Sequence, residues 1–198
     1  MTDLRTDPRA GRREARRSSI VAQAWSIART GGFGDLSLHA LARAVGIRQP
    51  SLYAYFDSKH ALFDAMFADG NRKLLERVDA LELPRSPLQA LKTFMAEFAA
   101  FCVEDTARAQ LMFQRPIPGY QPSAESYELA QQFLDRVLSL LAAVGVDQPD
   151  DIDCFIAAVA GLVDAQVSND PGGDRWVRHL DRVIDMVVSD TRKRRRQS

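Results

Sequence analysis

The sequence predicts an all-α protein with a small N-terminal helical domain and a larger C-terminal helical domain. Apolar residues recur at the three- and four-residue spacing of amphipathic helices, and no segment shows the sustained apolar–polar alternation of a half-buried strand. Glycines, prolines and serines that suit helix ends divide the chain into pieces of helical length. A length of 198 residues suits one or two domains.

Three short helices are predicted near the N-terminus. The first ends at Gly32, because glycine is a common stop at a helix C-terminus. Ser37 is expected to cap the second helix, which stops at Gly46. Pro50 lies in the first turn of the third helix, where its missing N–H removes no hydrogen bond, and this helix runs through Phe56.

The rest of the chain predicts six longer or connecting helices. Ser58 is expected to cap a fourth helix that extends to about Leu81 and joins the two domains. Further helices are predicted at residues 88–104, 106–114, 123–144, 150–168 and 174–190. The segment 116–122 contains three prolines and is therefore a loop.

The formal net charge of zero conceals a strong separation of charge along the chain. Residues 1–60 contain ten lysines and arginines against five acidic residues, whereas residues 61–191 contain eleven against twenty-one. A basic N-terminal part indicates contact with a polyanion by that part alone. We expect four segments: a flexible basic arm at 1–13, a helix-turn-helix domain at 14–60, a helical domain at 61–190 and a disordered basic tail at 191–198.

Several classes of protein are disfavoured by the sequence. The longest apolar stretch, residues 155–163, is too short to span a bilayer, and the N-terminus lacks the apolar core of a secretory signal. Cys102 and Cys154 have no metal-binding spacing. The three histidines lie on different predicted elements, and no glycine-rich phosphate loop is present. We therefore expect a cytoplasmic protein that is not an enzyme and uses no metal, cofactor or membrane.

Residues 36–56 have the pattern of a helix-turn-helix unit, two short helices joined at Gly46. Leu52 and Phe56, four residues apart, are expected to face the core, so that the opposite face of the second helix enters the DNA major groove. Tyr53 and Tyr55 would then offer hydroxyl groups to phosphates or ring edges to bases. The alternative is an ordinary helical hairpin with two surface tyrosines.

The same region resembles the DNA-binding domain of the tetracycline-repressor (TetR) family of bacterial transcriptional regulators. The resemblance covers about residues 14–67 and rests on the segments 32–38, 41–47 and 49–59, which read GFGDLSL, LARAVGI and QPSLYAYFDSK. It implies a homodimer that binds a palindromic double-stranded DNA operator. It also implies a C-terminal pocket for a small effector and a four-helix dimer interface, here the helices near 150–168 and 174–190. The expected protein is a repressor that a small, mainly apolar molecule releases from DNA.

The resemblance also implies DNA-contacting positions. The start of the recognition helix would contact bases or backbone, and the tyrosines and the lysine that follow would contact phosphates. Position 48 departs from the family pattern, and its charged residue is expected to read guanine through a bidentate pair. The arginines at positions 12, 13, 16 and 17 either form an arm that enters the minor groove or contact phosphates, and their spacing across the first turn favours phosphate contact. The predicted DNA-binding residues are Arg16, Arg17, Ser37, His39, Arg48, Gln49, Pro50, Ser51, Tyr53, Tyr55 and Lys59.

The C-terminal domain is rich in large aromatic and methionine side chains with few charges between them, which fits a mainly apolar pocket. For any single residue, ordinary core packing is the competing interpretation. The predicted ligand-binding residues are Phe98, Phe101, Met112, Tyr127, Gln166 and Asn169, with the loop 116–122 as a pocket edge. The wide apolar faces of the last two helices predict self-association.

Two further expectations concern how the protein acts. The fourth helix is expected to transmit ligand binding to the DNA-binding domain, and Gly70 within it would allow bending. The competing function is a helical interaction protein without DNA-binding activity. Selective DNA binding that falls with salt distinguishes the two.

Overall fold

A computed structural model describes residues 8–195, and all its regular secondary structure within that range is helical, as the sequence predicts. The helices are α1 (Pro8–Asp35), α2 (Leu38–Ala44), α3 (Gln49–Tyr53), α4 (Lys59–Asp79), α5 (Pro87–Glu104), α6 (Thr106–Phe113), α7 (Ala124–Val144), α8 (Pro149–Asn169) and α9 (Leu180–Arg195). A single 3₁₀ turn, Val177–His179, precedes α9.

The predicted helix boundaries at Gly32, Ser37 and Ser58 are confirmed. Gly32 interrupts α1 with φ 74° and ψ 179°, a backbone conformation that residues with a Cβ rarely adopt. The hydroxyls of Ser37 and Ser58 each accept a hydrogen bond, 3.0 Å long, from the backbone N–H three residues on, and so cap α2 and α4. The third helix ends at Tyr53, three residues before the predicted end.

Two apolar cores lie along α4. The N-terminal half of α4 contributes Phe63 and Met66 to a core shared with α1, α2 and α3, and its C-terminal half contributes Leu74 and Val78 to a core shared with α5, α7, α8 and α9. The large, fully buried residues of the first core include Ile20, Trp25, Leu36, Leu41, Leu52 and Phe56. Helix α6 is not confined to the second core, because its Ala107 and Leu111 belong to the first.

Both ends of the chain differ from prediction. Helix α1 begins at Pro8, so residues 8–13 are helical rather than a flexible arm, and α9 continues to Arg195 rather than ending at 190. The extension of α9 has a physical cause: Thr191 is buried, Arg194 lies 2.6 Å from Asp151, and Arg195 pairs with Asp147, so basic residues meet the acidic start of α8. The remainder of the predicted arm, residues 1–7, and of the predicted tail, residues 196–198, lies outside the described residues.

The predicted helix at 174–190 also begins later than expected. Residues 175 and 176 form a turn, and the buried side chain of Gln166 accepts hydrogen bonds from the backbone N–H groups of Trp176 and Val177 at 2.8 and 3.3 Å. The side-chain oxygen of Gln166 therefore accepts hydrogen bonds from two backbone N–H groups that would have no partner within a helix beginning at residue 174.

None of the individual helices in residues 8–195 combines the length and the apolar composition of a membrane-spanning segment. Helices α7 and α8 meet that criterion only when taken together across a bend of 115°.

Candidate nucleic-acid interface and apolar cavity

Helices α2 and α3 form the predicted helix-turn-helix unit. Gly46 has φ 70°, and the N–H of Ile47 donates to the carbonyl of Ala42 at 3.0 Å, which fixes the turn between the two helices. Leu52 and Phe56 are 0% and 1% exposed, so the predicted inner face of the recognition segment is confirmed. The unit therefore presents its opposite face to solvent.

The outer face of α3 holds exposed donors of several kinds. Arg48, Ser51 and Tyr53 are exposed, and Tyr53 retains 47% of its surface. Pro50 is also exposed, and Gln49 is half-buried. A guanidinium, a hydroxyl and a phenol at such close spacing suit contacts to base edges and phosphates in a major groove.

Four other predicted DNA contacts flank α3. His39 is exposed on α2, and Ser37 is exposed although its hydroxyl already caps that helix. Tyr55 is half-buried and packs against the N-terminal core, which differs from the outward orientation predicted for it. The ammonium group of Lys59 lies 5.3 Å from the centre of the Phe63 ring at the start of α4.

Three arginines near the start of α1 have partners inside the protein. Arg16 donates to the carbonyl of Val45 at 2.9 Å, and Arg13 donates to the carbonyl of Ala54 at 2.8 Å. The guanidinium of Arg17 lies 5.1 Å from the centre of the Phe56 ring. These contacts join α1 to the C-terminal ends of α2 and α3, and the sequence did not predict them. Since both carbonyls lie at helix ends, they need such donors.

A cavity of about 550 Å³ lies in the C-terminal domain between α5, α6, α7 and α8. Its walls are mostly apolar, and the Phe98 ring contacts Phe113 edge-on at 5.4 Å between centres and stacks on Phe133 at 5.3 Å. Phe113 and Tyr127 remain 45% and 52% exposed. The size and lining are typical of small-molecule sites in proteins.

Polar groups in the cavity wall are few. Among the described residues, Asp164 on α8 is the one charged side chain that lines the cavity. The amide of Gln114 donates to its carboxylate at 2.5 Å. Burial raises the pKa of the Cys102 thiol to about 12, so this thiol is uncharged at neutral pH.

Two of the six predicted ligand-binding residues, Phe98 and Tyr127, line the cavity, whereas the others have different surroundings. Phe101 is buried between the guanidinium groups of Arg77 and Arg108, whose centres lie 5.7 and 5.4 Å from the ring centre.

The remaining three lie outside the cavity for separate reasons. Gln166 is fully buried and bonded to the chain before α9. The side-chain amide of Asn169 donates to the carbonyl of Ala165 at 3.0 Å, as exposed residues at helix ends often do. Met112 packs against α4 at Gly70.

The loop 116–122 was also predicted to edge the pocket, but it packs against the N-terminal core through Ile117 and Tyr120. Ser123, the residue just after the loop, donates hydrogen bonds from its backbone N–H and its hydroxyl to the carboxylate of Asp64 on α4, at 2.7 and 2.8 Å. Sequence reasoning missed Asp164 and Gln114. The spacing of Ile156, Ala160 and Asp164, four residues apart on α8, is the signal that places this carboxylate on one face with apolar lining residues.

Helix α6 contacts both the N-terminal core and the cavity. Its Leu111 lies in the N-terminal core, whereas Phe113 at its end lines the cavity. At its start, Asp105 is 8% exposed and accepts hydrogen bonds from the guanidinium of Arg29 on α1 at 2.6 and 3.0 Å. Arg108 lies 3.0 Å from the same carboxylate, which places two cations on one buried anion.

Gly70, predicted to allow bending of α4, marks a close approach between α4 and α6. A Cβ added at Gly70 would lie 2.7 Å from the sulfur of Met112 and 3.3 Å from the Cγ of Arg108. Gly70 lies within α4, whose backbone is helical throughout, so the absence of a side chain is explained by packing.

Comparisons with known proteins agree with this geometry. The model of the family described as bacterial regulatory proteins, tetR family, matches residues 20–66. The HTH-type transcriptional regulators Rv1816 of Mycobacterium tuberculosis and Mb1846 of Mycobacterium bovis are each 24% identical over 156 residues, which cover 73% of this chain and 67% of each relative.

Two solved structures share the fold. A transcriptional regulator from Rhodococcus sp. Rha1 has a TM-score of 0.70 at 20% identity, over 88% of this chain and 96% of that one. The TetR family transcriptional regulator PfmR from Thermus thermophilus has a TM-score of 0.64 at 20% identity, over 86% of this chain and 97% of that one.

Proposed function

We propose that this chain, a transcriptional regulator with the DNA-binding domain of the TetR family, is a homodimeric repressor that a small, mainly apolar molecule releases from a palindromic operator. The observation that carries the proposal is the position of α6, which packs into the core of the helix-turn-helix domain through Leu111 and lines the cavity through Ala109 and Phe113. Such a regulator acts where the bacterial chromosome lies, in the cytoplasm.

The recognition segment supplies the proposed DNA contacts. Arg48, Gln49, Pro50, Ser51 and Tyr53 enter the major groove and contact base edges or the adjoining backbone. A second set contacts phosphates from the flanks of the groove: Ser37, His39, Tyr55 and Lys59. Arg16 and Arg17 act mainly by holding the recognition segment against α1. Because phosphate contacts release counterions, affinity falls steeply as salt rises.

The surface of α8 supports self-association, although part of the apolar face that the sequence suggested is buried within the subunit. Phe155, Val159 and Val163 fill the core of the subunit and are not spare apolar surface. The exposed part of α8 instead contains small side chains, among them Ala157 and Gly161, which permit close approach of a second helix. A two-fold dimer through α8 and α9 would set two recognition helices about one turn of DNA apart.

Ligand release would use the connection through α6. A molecule in the cavity contacts Phe113 and Gln114 at the end of α6, and Asp105 at its start is bonded to α1 of the DNA-binding domain. A ligand that binds better when α6 is displaced shifts the population toward conformers in which the two domains are misaligned for DNA. A coupling free energy of ~1–3 kcal/mol is typical of such switches.

The proposal is tested by fluorescence anisotropy with DNA from upstream of the protein's own gene, over a series of salt concentrations. Selective binding that weakens with salt is expected. Tyr53→Ala should weaken it by about tenfold, because a hydrogen bond worth ~1 kcal/mol and ring contacts are lost. Tyr127→Ala is the matched control, since this tyrosine is equally exposed but lies at the cavity.

Binding without sequence preference, or equal losses in Tyr53→Ala and Tyr127→Ala, would contradict the proposal. Complete absence of DNA binding would favour a helical interaction protein instead.

A further inference from the structure

The charged groups of the cavity wall are of one sign, although most of the wall is apolar. Its wall contains the aromatic rings of Phe98, Phe113, Tyr127, Phe133 and Phe155. In the part of the chain that the structure describes, no lysine, arginine or histidine lines it. An anionic ligand such as a fatty acid would therefore enter an apolar space without a cation to pair with its charge, which is unfavourable.

The carboxylate of Asp164 is placed to meet a cation. It is exposed, lines the cavity and accepts a hydrogen bond from Gln114 through one of its two oxygens. A neutral amide at 2.5 Å orients the carboxylate without neutralising it. Phe113 and Tyr127, both substantially exposed, also line the cavity, and aromatic faces attract cations.

The charge of the whole C-terminal part acts in the same direction. Residues 61–191 contain eleven basic and twenty-one acidic residues, so the field around this part attracts cations and repels anions. The Cys102 thiol does not alter the balance inside the cavity, because burial raises its pKa and keeps it protonated.

We propose that the cavity takes a lipophilic cation, with its apolar body packed among Phe98, Phe133 and Phe155 and its positively charged group beside Asp164. This inference rests on the proposed function for its identification of the cavity as the effector site. It adds the sign of the effector's charge, which the apolar lining alone leaves open.

The test uses two ions of nearly the same size and shape, tetraphenylphosphonium and tetraphenylborate, titrated into the full-length protein by calorimetry. The phosphonium should bind at least ~10-fold more tightly, because the single carboxylate attracts it and repels the borate at a partly solvated site. A smaller pair, benzyltriethylammonium and phenylpropanesulfonate, is titrated in parallel to separate charge preference from steric fit.

Two variants make the test specific to Asp164. Asp164→Asn keeps the shape of the side chain and should reduce phosphonium affinity by about fivefold while improving borate binding. Asp153→Asn is the matched control, since it removes the same charge from an exposed position on α8 that does not line the cavity. It should change neither affinity by more than about twofold, because a distant exposed charge is largely screened.

Equal binding of both charges, failure of both cations to bind, or equal effects of the two variants would overturn the inference. Operator binding is measured separately on the same preparations. A protein that binds its operator and shows no preference for cations overturns only this inference. A protein that prefers the phosphonium through Asp164 and binds no DNA overturns the proposed function and leaves the charge preference of the cavity standing.

Discussion

The two candidate sites differ in how their residues are distributed along the chain. The donors proposed to contact bases lie within a single short segment from Arg48 to Tyr53, which the turn at Gly46 and two buried side chains orient. The cavity residues come from four helices and extend from Met95 to Val167. A local motif keeps its spacing in the sequence, whereas a cavity exists only after distant helices have packed.

The sites also differ in charge and in rigidity of support. The recognition segment is basic and is held by arginine donors to the carbonyls of Val45 and Ala54. The cavity has one carboxylate and an aromatic wall that is partly open to solvent. DNA recognition needs fixed geometry, whereas the proposed effector site needs room to admit a molecule. The two sites lie on separate cores, and α4 and α6 contribute to both cores.

The largest effects are expected from cavities made in either core. Leu52→Ala and Leu141→Ala remove fully buried leucines from the first and second core, and each should lower the free energy of unfolding by ~2–5 kcal/mol in urea denaturation. At temperatures where both variants are folded, Leu52→Ala should weaken DNA binding at least ~10-fold because it releases α3. Leu141→Ala should leave DNA affinity within about twofold. Retained DNA affinity in Leu52→Ala would show that α3 is not positioned by its buried face.

A smaller effect is expected where the two cores communicate. Asp105→Asn removes the anion shared by Arg29 and Arg108 and should destabilise the protein by ~1–3 kcal/mol, since a buried charge-assisted network is broken. It should also make DNA affinity less sensitive to a bound effector, as measured by anisotropy with and without the effector. Asp185→Asn, which breaks the more exposed pair with Lys92, is the control. Equal effector sensitivity in both variants would place the coupling elsewhere, for instance along α4.

The sequence predicted the helix-turn-helix unit well because its determinants are local. The glycine turns, the serine caps and the inward positions of Leu52 and Phe56 each depend on a few neighbouring residues, and the structure confirms them. The outward orientation predicted for Tyr55 was wrong, because its side chain is half-buried against the N-terminal core.

An apolar cavity was predicted, but only two of the six residues predicted to line it, Phe98 and Tyr127, do so. Aromatic composition indicates an apolar pocket, yet Phe98 lines the cavity and Phe101, one turn along the same helix, lies under two arginines. Gln166 has the polarity of a ligand anchor, but its side-chain oxygen already accepts a hydrogen bond from the backbone N–H of Trp176, ten residues later. Which of two nearby residues on a helix lines the cavity depends on the rotation of that helix relative to the others, and periodicity alone does not determine this rotation.

The two roles assigned to basic residues near α3 can be separated by salt dependence. Lys59→Ala should lower the slope of log affinity against log salt by about one, because one phosphate contact is lost. Arg16→Ala should leave the slope nearly unchanged, because the hydrogen bond from Arg16 to the carbonyl of Val45 is internal. It should instead lower the free energy of unfolding by ~0.5–1.5 kcal/mol. A slope that falls equally in both variants would show that Arg16 contacts phosphate directly.

The smallest net effect is expected at Gly70, where two contributions oppose each other. Gly70→Ala gains helix propensity of ~1 kcal/mol, but its Cβ would meet the sulfur of Met112, and such overpacking costs about as much. Because Met112 is flexible, we expect a change in the free energy of unfolding within ~1 kcal/mol. If the close contact is the reason for glycine, Met112→Ala introduced with Gly70→Ala should remove the strain, and the double-mutant cycle should show a favourable interaction energy. If glycine is needed for bending of α4, Gly70→Ala should reduce the effector response of DNA binding, and Met112→Ala should not restore it.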